Sequence, residues 1–91
     1  MAEQDERVEH IREALEEQNP DALYADGHDS ALIGIAYRFG MEPLACYSYE
    51  KVLDNLCAMG MTLEEAEEFY SFNIEGAWMG DGTPIFVATD F

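Results

Sequence analysis

The run Ala31 to Phe39 (ALIGIAYRF) constrains the fold more than any other stretch, because it carries one charge, Arg38, in a chain otherwise dense in acids. Ile33, Ile35, Tyr37 and Phe39 fall on one face of an extended chain, and Leu32, Gly34, Ala36 and Arg38 on the other. That period, apolar on both faces until Arg38, predicts a central strand covered on both sides. The turn formers Asp26-Gly27-His28-Asp29-Ser30 precede it and predict a loop that folds the run back on a short strand, Ala22 to Ala25.

The remaining elements follow from local signals. Val8, Ile11, Ala14 and Leu15 recur at helical spacing and predict an amphipathic helix over residues 3–17 with a narrow apolar stripe. Gln18-Asn19-Pro20-Asp21 ends it. After a turn at Gly40-Met41-Glu42-Pro43, Leu44 to Tyr47 reads as a third strand, and short connections predict an antiparallel meander. Ser48 is an N-cap for a helix from Tyr49 to Met59, with Glu50 in its first turn, Val52, Leu53, Leu56 and Cys57 buried, and Gly60 closing it. Thr62-Leu63-Glu64-Glu65 has the T-x-x-E form of a capping box and starts a helix at Leu63 that ends by Gly76. Its expected inner face is Ala66, Phe69, Tyr70, Asn73 and Ile74, with Asn73 placed to tie down a neighbouring loop. Ala77 to Met79, the turn Gly80 to Pro84, and Ile85 to Thr89 read as strand, turn, strand, with Pro84 suited to a strand's first residue or an edge. The expected architecture is one α+β domain over residues 1–91: a small antiparallel sheet and two or three helices in a core at 21–89, with the acidic N-terminal helix outside the sheet.

Charge narrows the function classes. Twenty Asp and Glu oppose four Lys and Arg, a net charge of -16 at pH 7. Self-repulsion on that scale opposes compaction. Direct binding of nucleic acid is excluded, because it requires basic groups that release counterions, and Arg7, Arg12, Arg38 and Lys51 are too few and too scattered. The apolar fraction of 48% separates the chain from disordered acidic tails. Without a signal peptide or an apolar run near ~18 residues it reads as soluble and cytoplasmic, with no membrane partner. Cys46 and Cys57, each in an apolar segment, then read as buried reduced thiols.

Two groups of acids stand out. Asp5, Glu9, Glu13 and Glu17 form an unbroken i,i+4 ladder with neighbours about 5–6 Å apart, and each like-charge pair costs about 0.2–0.5 kcal/mol. Glu3–Arg7 and Arg12–Glu16 recover part of that. Glu64, Glu65, Glu67 and Glu68 make a second acidic patch. Both are candidate contacts for a basic partner surface, with Asp5, Glu9, Glu13, Glu17, Glu64, Glu65 and Glu68 as the binding residues. The bland alternative is a pair of solvated helix faces.

Sites for chemistry are weaker. Asp26, His28 and Asp29 offer two carboxylates and an imidazole within four residues, donors suited to Zn²⁺ or Mn²⁺. The same residues are ordinary turn formers, and His10, the other histidine, lies on the first helix. The cysteines lack the electropositive setting that a nucleophile needs. No phosphate loop, dinucleotide fingerprint or serine elbow occurs, and Gly80-Asp81-Gly82 has no Lys and no following helix. The sequence therefore implies no catalytic residue and no cofactor. Tyr47, Tyr49, Tyr70 and Trp78 are expected mostly in the core, with polar tips near the surface.

Several blocks in order carry a resemblance: Asp26-Gly27-His28-Asp29-Ser30-Ala31-Leu32-Ile33-Gly34, Arg38-Phe39-Gly40-Met41-Glu42-Pro43, Phe72-Asn73-Ile74-Glu75-Gly76-Ala77-Trp78, and Gly82-Thr83-Pro84-Ile85-Phe86-Val87. Over about residues 21–88 the chain resembles a group of small uncharacterised proteins of bacteriophages and prophages. That resemblance implies a virus-linked, cytoplasmic, single-domain α+β protein, and brings no catalytic residues. Small acidic phage proteins include inhibitors that imitate the charge of DNA, which carries one charge per ~1.7 Å of axis. Three readings follow. The first is an interaction protein that blocks a basic, nucleic-acid-binding host protein of defence or transcription. The second is a non-enzymatic accessory or structural phage protein whose acidity serves solubility. The third is a small metal-binding domain using Asp26, His28 and Asp29. A homodimer is compatible with all three, since small domains gain apolar burial that way.

Overall fold

The computed structural model describes residues 2–25, 27–77 and 79–89, and of residues 2–5 and 75 the backbone alone. In chain order it contains α1 (Ala2–Gln18), a 3₁₀ turn (Asp29–Ala31), β1 (Leu32–Ala36), β2 (Leu44–Ser48), α2 (Tyr49–Ala58), α3 (Leu63–Tyr70), a π-helical turn (Ser71–Glu75) and β3 (Ile85–Val87). It is an α+β fold, with a three-stranded sheet ordered β1-β2-β3.

The helix starts lie where side-chain chemistry places them. Ser48 Oγ accepts from Lys51 N at 3.2 Å and caps α2. Thr62 and Glu65 form the reciprocal box at α3: Glu65 N donates to Thr62 Oγ1 at 3.1 Å, and Thr62 N to Glu65 Oε1 at 2.9 Å. Both satisfy amide donors that a helix N-terminus otherwise leaves open.

The sheet differs from the expected meander. β2 is its central strand, pairing antiparallel with β1 and parallel with β3, so the sheet is mixed. Parallel neighbours need a long crossover, and α2 and α3 provide it between Ser48 and Ile85. The expected strand over 31–39 shrinks to Leu32–Ala36 and lies at an edge, with an irregular register between Leu32 and Gly34. Of its five residues only Leu32 is buried, while Tyr37 and Phe39 are exposed beyond the strand. Period-2 alternation records which residues share a face, and says nothing about whether that face is covered.

Two further predicted strands are absent from the ladder. Ala22 to Ala25 joins no strand, and its amides go elsewhere: Leu23 N to Gly82 O at 3.0 Å and Ala25 N to the Tyr47 hydroxyl at 2.9 Å. Ala77 and Met79 do not pair with β3, and Trp78 lies outside the described residues. Thr83 holds this corner instead, accepting from Met79 N at 2.8 Å and donating to Gly80 O at 2.7 Å. The 80–84 loop then docks on residues 21–23. Gly82 permits that approach, because a Cβ there would stand 2.8 Å from Asp21 O.

The core joins Val8 and Leu15 of α1, Leu32, Ala45 and Tyr47 of the sheet, and Val52, Leu53 and Leu56 of α2 with Ala66 and Tyr70 of α3. Phe86 of β3 stacks on Tyr47 and meets Tyr70 edge-on, each at 5.6 Å between centroids, while Tyr49 packs edge-on against Tyr70 at 4.9 Å. Polar contacts fasten α1 to the rest: Arg12 pairs with Asp29 at 2.8 Å, Tyr37 Oη donates to Gln18 at 3.1 Å, and buried Asn19 donates to Pro43 O at 2.9 Å. Both cysteines are free and half-buried rather than buried. No helix among the described residues is long and apolar enough to cross a membrane.

Candidate functional site

On α1, Leu15 is fully buried, and Glu13 lies nearly opposite it on the helical wheel. Glu6, Glu9, Glu13, Glu16 and Glu17 are all exposed, while the Asp5 side chain lies outside the described residues. The helix's own cations turn inward. Arg12 reaches Asp29 and lies over the Tyr24 ring, 4.3 Å from its centroid. Arg7 donates to the Ile33 carbonyl at 3.3 Å. Arg12–Asp29 is the one ion pair found among the described residues, in place of the expected Arg12–Glu16 pairing. The row Glu9–Glu13–Glu17 therefore faces solvent without a cation of its own.

On α3, Glu64, Glu65, Glu67 and Glu68 are exposed. The two acidic groups sit on different supports, α1 against β1 and the 3₁₀ turn, α3 against α2. Between them runs a groove of about 720 Å³, floored by Leu56, Ile74 and Phe86 and walled by Tyr24, Met61 and Phe69. Met59 and Met79 stand at its mouth, 66% and 71% exposed. It continues into a shallower depression that shares Met61, Phe69 and Asn73 and adds Glu65, Glu68 and Phe72, the last 78% exposed. Within the groove, burial and the Glu16 carboxylate push the Tyr24 phenol up, against the downward pull of Arg12. The Tyr24 hydroxyl is buried without a hydrogen-bond partner among the described residues.

Sequence reasoning missed this groove. It placed Phe69 and Asn73 on an inner face, whereas Phe69 is 39% exposed and Asn73 is exposed. Asn73 does not tie a neighbouring loop; its Nδ2 donates to Phe69 O within its own helix at 3.3 Å. A usable signal existed: Met41, Met59, Met61 and Met79 each adjoin a glycine at an element end, where helical or strand periodicity assigns no core-facing role.

His28, Asp29 and Ser30 are committed to the fold. Asp29 faces Arg12, and buried His28 accepts at Nδ1 from Asn55 Nδ2, 3.4 Å away. Asn55 also bonds Ser30 Oγ at 3.1 Å, tying the 3₁₀ turn to α2. Burial lowers the His28 pKa from its ordinary value. Asp26 lies outside the described residues, and among those described no three His, Cys, Asp or Glu side chains gather as a metal site requires. Burial raises the Cys46 thiol, which keeps it protonated and poorly nucleophilic. A second depression of about 850 Å³ presents mixed charge, Arg38 with Glu67 and Asp81, around Met41 and Tyr70. No protein-family model, no curated protein and no solved structure matches the chain.

Proposed function

We propose that this is a non-catalytic interaction protein that covers a basic surface of a partner protein, of the kind that otherwise holds nucleic acid. One observation carries the reading: among the described residues Glu9, Glu13 and Glu17 of α1 make no hydrogen bond or ion pair within the fold. Glu9, Glu13 and Glu17 repel one another along one row, and Glu16 and Glu17 sit in a last turn that has no basic residue. Carboxylates there oppose the helix macrodipole. An i,i+4 row spaces its charges at about 6 Å along a rigid rod, a repeating anionic array of the sort a DNA-binding surface accommodates. The resemblance to phage proteins supports a host target of defence or transcription and a cytoplasmic setting. Acidity serving solubility alone fits less well, because Phe39, Phe72, Met59 and Met79 leave large apolar surface exposed.

The test is capture from a bacterial lysate by tagged protein, washed across a salt series with duplex DNA as competitor. The expected result is a nucleic-acid-binding protein held at low salt and displaced by the duplex. A partner that resists high salt and ignores DNA, or no partner at all, contradicts the reading.

A further inference from the structure

The groove between α1 and α3 combines two properties that together specify an occupant. Its lining includes Met59, Met61, Phe69 and Met79, long or aromatic apolar side chains, of which Met59 and Met79 are mostly exposed. Methionine surfaces adapt to varied apolar side chains, and apolar grooves of this kind receive the apolar face of an amphipathic helix. The adjoining depression is acidic, with Glu65 and Glu68 on the α3 side. The one guanidinium in the lining, Arg12, is already paired with Asp29.

Other occupants fit less well. A small polar ligand needs convergent donors or acceptors. Most polar groups here are committed, His28 to Asn55, Asn73 to Phe69 O and Thr83 to Gly80 O, and the unpartnered Tyr24 hydroxyl is a single group rather than a convergent set. A second copy of the chain, or an anionic membrane, would set like charge against a molecule of net charge -16.

We propose that the groove receives a cationic amphipathic helix of the partner protein, its apolar face among Met59, Met61, Phe69 and Met79 and its Lys and Arg against Glu65 and Glu68. This rests on the reading of the protein as a binder of basic partners, and it moves the specific contact from the outer face of α1 to the groove. The α1 row then acts at longer range, steering a cationic segment inward.

The test uses two labelled peptides of about 14 residues, identical in Leu and Lys content. One carries Leu at i, i+3, i+4 and i+7, and the other is rearranged so that no apolar face forms. Fluorescence anisotropy is read for the intact protein, for Met59→Ser/Met79→Ser, and for Glu9→Gln/Glu13→Gln/Glu17→Gln. The two methionines are exposed, so their replacement leaves the core intact, and a thermal melt verifies it. The amphipathic peptide is expected to bind at least about tenfold more tightly than its rearranged control, and the methionine variant to lose about tenfold, as loss of interface anchors does. Equal binding of both peptides, unaffected by the methionine changes, overturns the groove proposal while leaving the charge-based reading standing. No binding of either peptide at low salt overturns both.

Discussion

α1 and α3 are both helices rich in glutamate, and the comparison lies in where the glutamates sit. On α3 two of the four occupy the first turn, where Glu64 and Glu65 complement the helix dipole and Glu65 closes the capping box with Thr62, while Glu67 and Glu68 lie in the following turn. On α1 they run to the opposite end, where Glu16 and Glu17 oppose the dipole and Glu13 and Glu17 repel across one turn. Glu64 and Glu65 help build their helix, whereas Glu13, Glu16 and Glu17 burden theirs. What holds α1 in place is its narrow buried stripe and the Arg12–Asp29, Gln18–Tyr37 and Asn19–Pro43 contacts. The proposed function accounts for carboxylates that oppose their own helix by placing their counterpart on a partner surface.

Substitutions break or sharpen this contrast, and the largest effect is expected at the anchor. Leu15→Ala removes the fully buried side chain that seats α1, and should lower stability by about 2–5 kcal/mol in chemical denaturation. A loss under about 1 kcal/mol would mean that α1 is not integral to the fold. On α3, Thr62→Ala removes one half of the box and should cost about 1 kcal/mol by the same measurement. On α1 the sign reverses. Glu13→Gln relieves two like-charge pairs, Glu9–Glu13 and Glu13–Glu17, and should stabilise the protein by about 0.4–1 kcal/mol, an increment that shrinks as salt is added.

The smallest effect is a pH dependence. Burial holds the folded His28 pKa below its ordinary 6.5, so as pH falls the unfolded chain takes up this proton first. The stability that neutral His28 contributes is therefore complete above about 6.5 and is lost as pH falls from there toward the folded value. Melting temperatures recorded from pH 7.5 to 5.5 should fall less for His28→Gln than for the unaltered protein.

How much of this was legible in the sequence depends on how local each feature is. Ser48 and Thr62–Glu65 announce their helices because a cap is written within four residues, and the acidic rows are legible because i,i+4 spacing is all they require. The parallel pairing of β2 and β3 is not, since it depends on a crossover through two helices, while Gly80-Asp81-Gly82 locally imitates a hairpin turn. Tyr37 and Phe39 alternate like strand residues, yet Tyr37 reaches Gln18 across the chain and Phe39 stands in solvent. The groove was hidden for the same reason: it is assembled from Tyr24, the end of α2, α3 with its π turn, and the strand β3, and no single window of sequence contains it.

The most direct test of the central claim is one comparison of the unaltered protein with Glu9→Gln/Glu13→Gln/Glu17→Gln, measuring capture of a DNA-displaceable basic partner at low salt on samples whose melting temperatures are recorded alongside. The account predicts a variant that melts higher and captures less, because the row costs the fold and serves the partner. A variant that melts no higher and captures as well as the original would contradict it, and would leave the α1 carboxylates as a solvated face.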